Sequence, residues 1–358
     1  MKCPHIPLVK YVQFSERLGK QVLAERIPIN GSFELTFRCN LRCTHCYCNL
    51  SANNQAAIEK ELSTEKVFDI FDQIAESGCL WLLLTGGEPF LRKDFLEIYT
   101  YAKKKGLLIS LYTNGTLITP EIADYLAEWP PHEVEITLYG SNQETYEKIT
   151  GVPGSFKRCQ IGIDLLLQRK IPLSLKTMVM NLNCGDLSKM KEYAQKLGVG
   201  FRFDPELNPR LDAGNNFNNL RLSPEEVVRL DLDDEKRANA WQDVCLRLIQ
   251  PFKSDKLYVC GAGVHTFHID PYGKMNACML SRFESYDLHL YSFKEIWNRY
   301  IPQHLSLEAQ GDYPCGKCEL ISLCGRCPGW AWLENGNLEA PVEYLCQIAH
   351  LRAEAFSA

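Results

Sequence analysis

The sequence predicts an α/β protein: a partial (β/α)6 barrel, like a TIM barrel, followed by a small cysteine-rich domain. Three observations carry this. Between residues 33 and 204 six short β-branched or apolar runs alternate with stretches of helical periodicity. Helix-start residues stand where that alternation requires them. After about residue 205 the alternation stops, and from about Cys245 cysteines become dense among short elements.

In chain order the strand runs are FELTF (33–37), LWLLLTG (80–86), LLISLYT (107–113), EVEITLYG (133–140), IPLSLKTMVM (171–180) and VGFRFD (199–204). Ser63 can cap the helix that ends before Gly78, and Thr119 with Pro120 opens PEIADYLAEW. Successive βα units imply a parallel sheet with helical crossovers, and place functional residues in loops at the carboxyl ends of strands. The cysteine loop TFRCNLRCTHCYCNL follows the first strand and TGGEPF follows the second. Both therefore belong to the catalytic face. PELNPRLDAGNNFNNL reads as a connector, Ser223 and Pro224 start a further helix, and the chain ends in a helical VEYLCQIAHLRAEAF. The expected division is an N-terminal extension (1–30), a barrel (31–205), a connector (206–255) and a C-terminal domain (256–358).

Composition narrows the function. The chain of 358 residues can bury a sizeable core, with 46% apolar and 23% charged residues, and its net charge of −5 argues against nucleic acid held by a basic field. No apolar run has signal-peptide or membrane-spanning length, which predicts a cytoplasmic protein with no membrane partner. Sixteen cysteines in a reducing compartment point to metal rather than disulfides.

Cys39, Cys43 and Cys46 form CxxxCxxC. Three thiolates suit a [4Fe–4S] cubane with one iron left for an external ligand. Zinc is the alternative, completed by Cys48 or His45.

CNLRCTHCY followed some forty residues later by TGGEP, with YTNGTLIT after the third strand, resembles the radical S-adenosylmethionine (SAM) superfamily. The resemblance implies that the open iron is chelated by SAM, that reductive cleavage yields a 5′-deoxyadenosyl radical, and that this radical abstracts a substrate hydrogen. On that reading Gly86 and Gly87 let the backbone approach the ligand, Glu88 meets its ammonium group, Tyr47 lies against the adenine, and Thr113 and Asn114 contact ribose or adenine. Thr137 and Tyr139 are expected to pack within the strand, and Cys48 to be a bystander.

The second cysteine system comprises Cys260, Gly273 followed after four intervening residues by Cys278, the run CGKCELISLCGRC (Cys315, Cys318, Cys324, Cys327) and Cys346. A zinc ribbon is the alternative. The pattern resembles the SPASM extension of radical SAM enzymes, which houses two auxiliary [4Fe–4S] clusters. The resemblance implies Cys260, Cys278 and Cys327 for the first, and Cys315, Cys318, Cys324 and Cys346 for the second. It departs twice: the last local spacing is CxxC, and no eighth ligand is evident. Either Cys245 supplies it or the first auxiliary cluster has an open iron. Cys3, Cys79, Cys159 and Cys184 are expected to be small buried hydrophobes. His265 and His268 read as surface or strand histidines, and Asp270 with Gly273 as a hairpin turn.

Enzymes with this extension mostly modify peptides or proteins. The resemblance therefore implies a maturase acting on a ribosomally made precursor, by cross-linking, epimerisation, excision or oxidation, fed by a reductant such as flavodoxin or ferredoxin. About thirty residues precede the first strand, too few for an N-terminal leader-binding domain, which implies a separate recognition protein or leader binding by the barrel and extension. Sulfatase-maturating enzymes place an aspartate directly after the cysteine matched by Cys278. Met279 stands there, and no aspartate follows until Asp287. A small-molecule dehydrogenase is the remaining enzymatic alternative.

Overall fold

The computed structural model describes residues 11–48, 50–212, 217, 219–248 and 254–356. A helix, Tyr11–Glu25, leads into β1 (Asn30–Glu34), and two short strands, β2 (Arg38–Cys39) and β3 (Leu50–Ser51), pair across the base of the cysteine loop. Then come β4 (Trp81–Thr85), β5 (Leu108–Thr113), β6 (Glu133–Thr137), β7 (Leu173–Met178) and β8 (Gly200–Asp204). The C-terminal region adds β9 (Thr266–Ile269), β10 (Lys274–Asn276) and β11 (Tyr286–Asp287).

β1, β4, β5, β6, β7 and β8 are parallel neighbours in that order, as the alternation predicts. The helices between them start on the expected caps: Ser63 accepts from Lys66 N ahead of Thr64–Glu76, and Thr119 from Ile122 N ahead of Pro120–Glu128. The first strand sits three residues earlier than FELTF. Pairing with β4 from Asn30 to Glu34 sets its register, so Leu35–Phe37 lead on toward the cysteines instead.

Alternation along the strands sorts the two sheet faces. Phe33, Leu82, Leu84, Ile109, Leu111 and Leu175 are fully buried in the main core. The opposite face carries polar side chains, including Ser32, Thr85, Tyr112, Thr137, Lys176 and Arg202, together with Leu83, and lines a cavity of about 420 Å³. One sheet thus makes a closed core on one face and a cavity wall on the other.

The C-terminal region is not a separate lobe on this sheet. β9 pairs in parallel with β1, from Asn30 opposite Thr266 to Phe33 opposite Ile269, and the β9–β10 hairpin turns at Asp270–Gly273 as expected. Asp270 Oδ1 accepts from Tyr272 N and Lys274 N, both at 2.9 Å, and Gly273 takes φ of 81°. Among the described residues no helix is long and apolar enough to cross a membrane.

Candidate active site

Two loops meet at the mouth of the barrel. Gly87 N donates to Thr36 O at 2.7 Å, and Glu88 N to Arg38 O at 2.8 Å. A Cβ on Gly86 would stand 2.2 Å from Thr36 O, and one on Gly87 2.2 Å from Arg38 O, while Gly86 has φ of 133°. The glycines are therefore required by close approach of one loop backbone to the other. Beneath them Arg38 is clamped to Glu61 by hydrogen bonds of 2.7 and 2.9 Å, with both side chains buried.

Cys39, Cys43 and Cys46 all line the cavity. Burial pushes the Cys39 thiol up to about 12, with Glu88 and Cys46 adding to the shift, and Cys43 rises through burial and its two partners. Three crowded, desolvated thiols favour a cationic metal centre among them. Asn114 Nδ2 approaches Cys39 Sγ at 3.6 Å and donates to Asn40 Oδ1 at 2.9 Å, so it positions the loop. Cys48 Sγ lies 3.9 Å from Cys46 Sγ.

Glu88 does not line the cavity. Its fully buried carboxylate accepts from Thr113 Oγ1 at 2.8 and 2.9 Å, Asn114 N at 2.8 Å and Phe90 N at 3.2 Å. Burial raises it to about 7 against those bonds. These bonds make Glu88 a brace between the second and third strand ends. Tyr47 does line the cavity, with its hydroxyl donating to Glu34 Oε1 at 2.5 Å. Thr137 and Tyr139, expected as strand packing, are on the cavity wall as well.

Sequence reasoning passed over His45 as a cavity residue. Its ring meets Tyr139 edge-on at 4.8 Å, and its Nδ1 is buried without a partner. The signal was its place between Cys43 and Cys46. Two charged groups were also missed. Glu135 holds Lys176 at 2.8 Å and Arg202 at 2.5 and 2.6 Å on one wall, and burial lowers Lys176 to about 8 against Glu135. On the other wall Glu34 accepts from Arg282 at 2.7 Å, and His268 Nε2 lies 3.1 Å away. His268 Nδ1 is 2.8 Å from Ser32 Oγ. Burial alone would raise Glu34, but Arg282 and His268 outweigh it and lower it to about 2.

In the C-terminal region the thiols fall into two groups. Cys278 has Cys327 and Cys260 as electrostatic neighbours, and Cys324 has Cys346, Cys315 and Cys318. Cys245 is not with the first group: it is buried in an apolar cluster with Leu323, Ala349 and Cys324, on the side of the second. Cys79 and Cys159 are buried, Cys184 is half-buried, and Cys3 lies outside the described residues. Among the described residues no three His, Cys, Asp or Glu side chains converge closely enough for a single ion.

The residues therefore fit a cluster with an organic ligand beside it: three thiols, an orphaned ring nitrogen and a polar lumen. Comparison with known proteins agrees. The chain is 28% identical to the AdoMet-dependent heme synthase of Methanosarcina barkeri, over 86% of this chain and 93% of that protein. It is 27% identical to the mycofactocin maturase MftC of Mycolicibacterium smegmatis, over 88% and 81%. The fold matches Streptococcus suis SuiB bound to S-adenosylmethionine with a TM-score of 0.68, 13% identity, and coverage of 97% and 83%. Residues 33–194 match the radical SAM superfamily. Its members bind SAM and an iron–sulfur cluster. From the cysteine loop and this match, residues 33–194 form a radical SAM domain.

Proposed function

We propose that this enzyme modifies a ribosomally made peptide or protein, starting from hydrogen abstraction in the barrel lumen. When bound, the cluster and SAM supply the 5′-deoxyadenosyl radical that performs it. Cys39, Cys43 and Cys46 would hold the cluster, with His45, Tyr47, Thr113 and Tyr139 around SAM and the backbone of Gly86 and Gly87 toward its ammonium group. Asn114 would hold Cys39 in place. Glu88 would act through Thr113 and Asn114, as a positioning residue.

The observation that carries the reading is a second pocket that adjoins the lumen. The lumen itself, about 420 Å³, falls within the roughly 300–1,000 Å³ of small-molecule sites. A neighbouring pocket of about 390 Å³ shares Met178, Asp204 and Asn208 with it and offers a path for an extended chain. The Cys260, Cys278, Cys327 group and the Cys315, Cys318, Cys324, Cys346 group would hold two auxiliary clusters in a C-terminal domain from about residue 256. The first would keep an open iron. Met279, on the cavity wall directly after Cys278, offers no base, which disfavours formylglycine formation.

A second reading is an iron tetrapyrrole substrate. The match along 93% of the heme synthase favours it, as do Lys176 and Arg202 facing the lumen, where they could meet carboxylates. Anaerobic incubation of reduced enzyme and SAM, with either a peptide encoded beside this chain or an iron coproporphyrin, separates the two. A mass change in the peptide, with 5′-deoxyadenosine formed, supports the first reading. A mass change confined to the tetrapyrrole overturns it.

A further inference from the structure

A second hydrogen-bonded chain starts beside the Cys260, Cys278, Cys327 group and ends in solvent. Tyr258 is buried, and its hydroxyl is held well above its ordinary range by burial and then by all three of those cysteines, which places it beside them. Tyr258 OH lies 2.8 Å from Ser281 Oγ, and Ser281 Oγ lies 2.9 Å from His304 Nε2. His304 Nδ1 is 3.2 Å from Glu284 Oε2. Ser281 also touches the cysteine group directly, because its backbone N–H and that of Leu280 donate to the Cys278 sulfur.

Exposure changes sharply along this chain. Ser281 is 1% and His304 2% exposed, whereas the Glu284 side chain is 49% exposed. The groups facing the imidazole are few: the Tyr258 ring at 4.6 Å, the Phe283 ring at 5.0 Å, Ser281 and Glu284. Tyr286 OH donates to Glu284 at 3.3 Å, and among the described residues the Glu284 carboxylate is the charge that pairs with the ring. Burial lowers His304 below its ordinary value against the pull of Glu284, so it is neutral near pH 7. The half-exposed Glu284 carboxylate links the buried ring to solvent.

Resting on the reading that Cys260, Cys278 and Cys327 hold an iron–sulfur centre, we propose that His304 is the proton site coupled to reduction of that centre. One electron arriving at the centre adds one negative charge in a poorly solvated region. One proton from water, entering by way of Glu284, converts neutral His304 to imidazolium, with Nδ1–H donating to Glu284 Oε2 and Nε2–H to Ser281 Oγ, and offsets that charge through Ser281. On reoxidation the proton leaves by the same carboxylate. His304 is a positioning residue for electron transfer, since it acts through Ser281.

The test needs no substrate. Reconstituted enzyme is titrated with dithionite at several pH values between 6 and 9, following the EPR signals that added SAM leaves unchanged. One of them is expected to become tenfold harder to reduce per pH unit, which is about 59 mV for one electron. The other, from the Cys315 group, serves as the pH-independent reference. His304→Gln keeps a bond to Ser281 and should flatten the slope, while Glu284→Gln should move the sloping range to lower pH. A pH-independent potential in the wild type, or an unchanged slope in His304→Gln, overturns the proposal and leaves the cluster assignment standing. Iron analysis that finds only the barrel cluster overturns both.

Discussion

Two histidines in this molecule stand in the same company and behave as opposites. His268 lies between Ser32 and Glu34 on the lumen wall, and His304 between Ser281 and Glu284 in the C-terminal region. Both rings are buried. The carboxylates differ: Glu34 is fully buried and backed by Arg282 and Tyr47, whereas Glu284 is half in solvent with one tyrosine hydroxyl. The first is therefore a locked electrostatic joint between barrel and C-terminal region, and the second an exchangeable one. Residue type does not decide between brace and proton site; counter-charge and access to water do.

The sharpest way to break the contrast is to remove each carboxylate. Glu34→Gln leaves Arg282 buried beside a neutral partner and should destabilise the protein by about 3–5 kcal/mol, read by anaerobic denaturant unfolding. Glu284→Gln should cost under about 1 kcal/mol in the same assay, as a half-exposed pair does. Equal costs would erase the distinction.

Acid sharpens it next. Glu34 is lowered from 4.5 to about 2, so its contribution is complete above pH 4.5 and is lost as pH falls toward 2. That loss amounts to about 3 kcal/mol for a shift of this size. The wild type should lose stability over this window more steeply than Glu34→Gln. The smallest expected effect is at the ring itself: His268→Gln should cost about 1–2 kcal/mol from its buried hydrogen bonds to Ser32 and Glu34, read in the same unfolding assay. A cost as large as that of Glu34→Gln would show that the ring, not the carboxylate, holds the joint.

The barrel was legible because its signals are local. The alternation of LLISLYT or LSLKTM states which residues face the helices, and Ser63 and Thr119 mark helix starts within three residues of their partners. The site was legible as a set of cysteines and much less as a set of contacts. The bonds of Glu88 to Thr113 and Asn114 were not legible, because those partners lie 25 and 26 residues away and only the sheet brings them together. His45 was visible but weighed only as a zinc ligand. The polar lumen had a usable signal, since Glu34, Glu135, Lys176 and Arg202 recur on one face of successive strands. What no local pattern carries is the docking of β9 on β1 and the arrival of Arg282 at Glu34, 248 residues away.

That docking also sets a timetable. Ser32 and its partner Phe267 are separated by 235 residues, so β1 leaves the ribosome long before its outer neighbour exists. At roughly 5–20 residues per second, the edge stays open for roughly ten to fifty seconds of synthesis. An unpaired strand edge in a half-made barrel is a template for pairing with other chains, and distant pairings close slowly. The nascent chain thus has a vulnerable interval that ends only when its last third arrives.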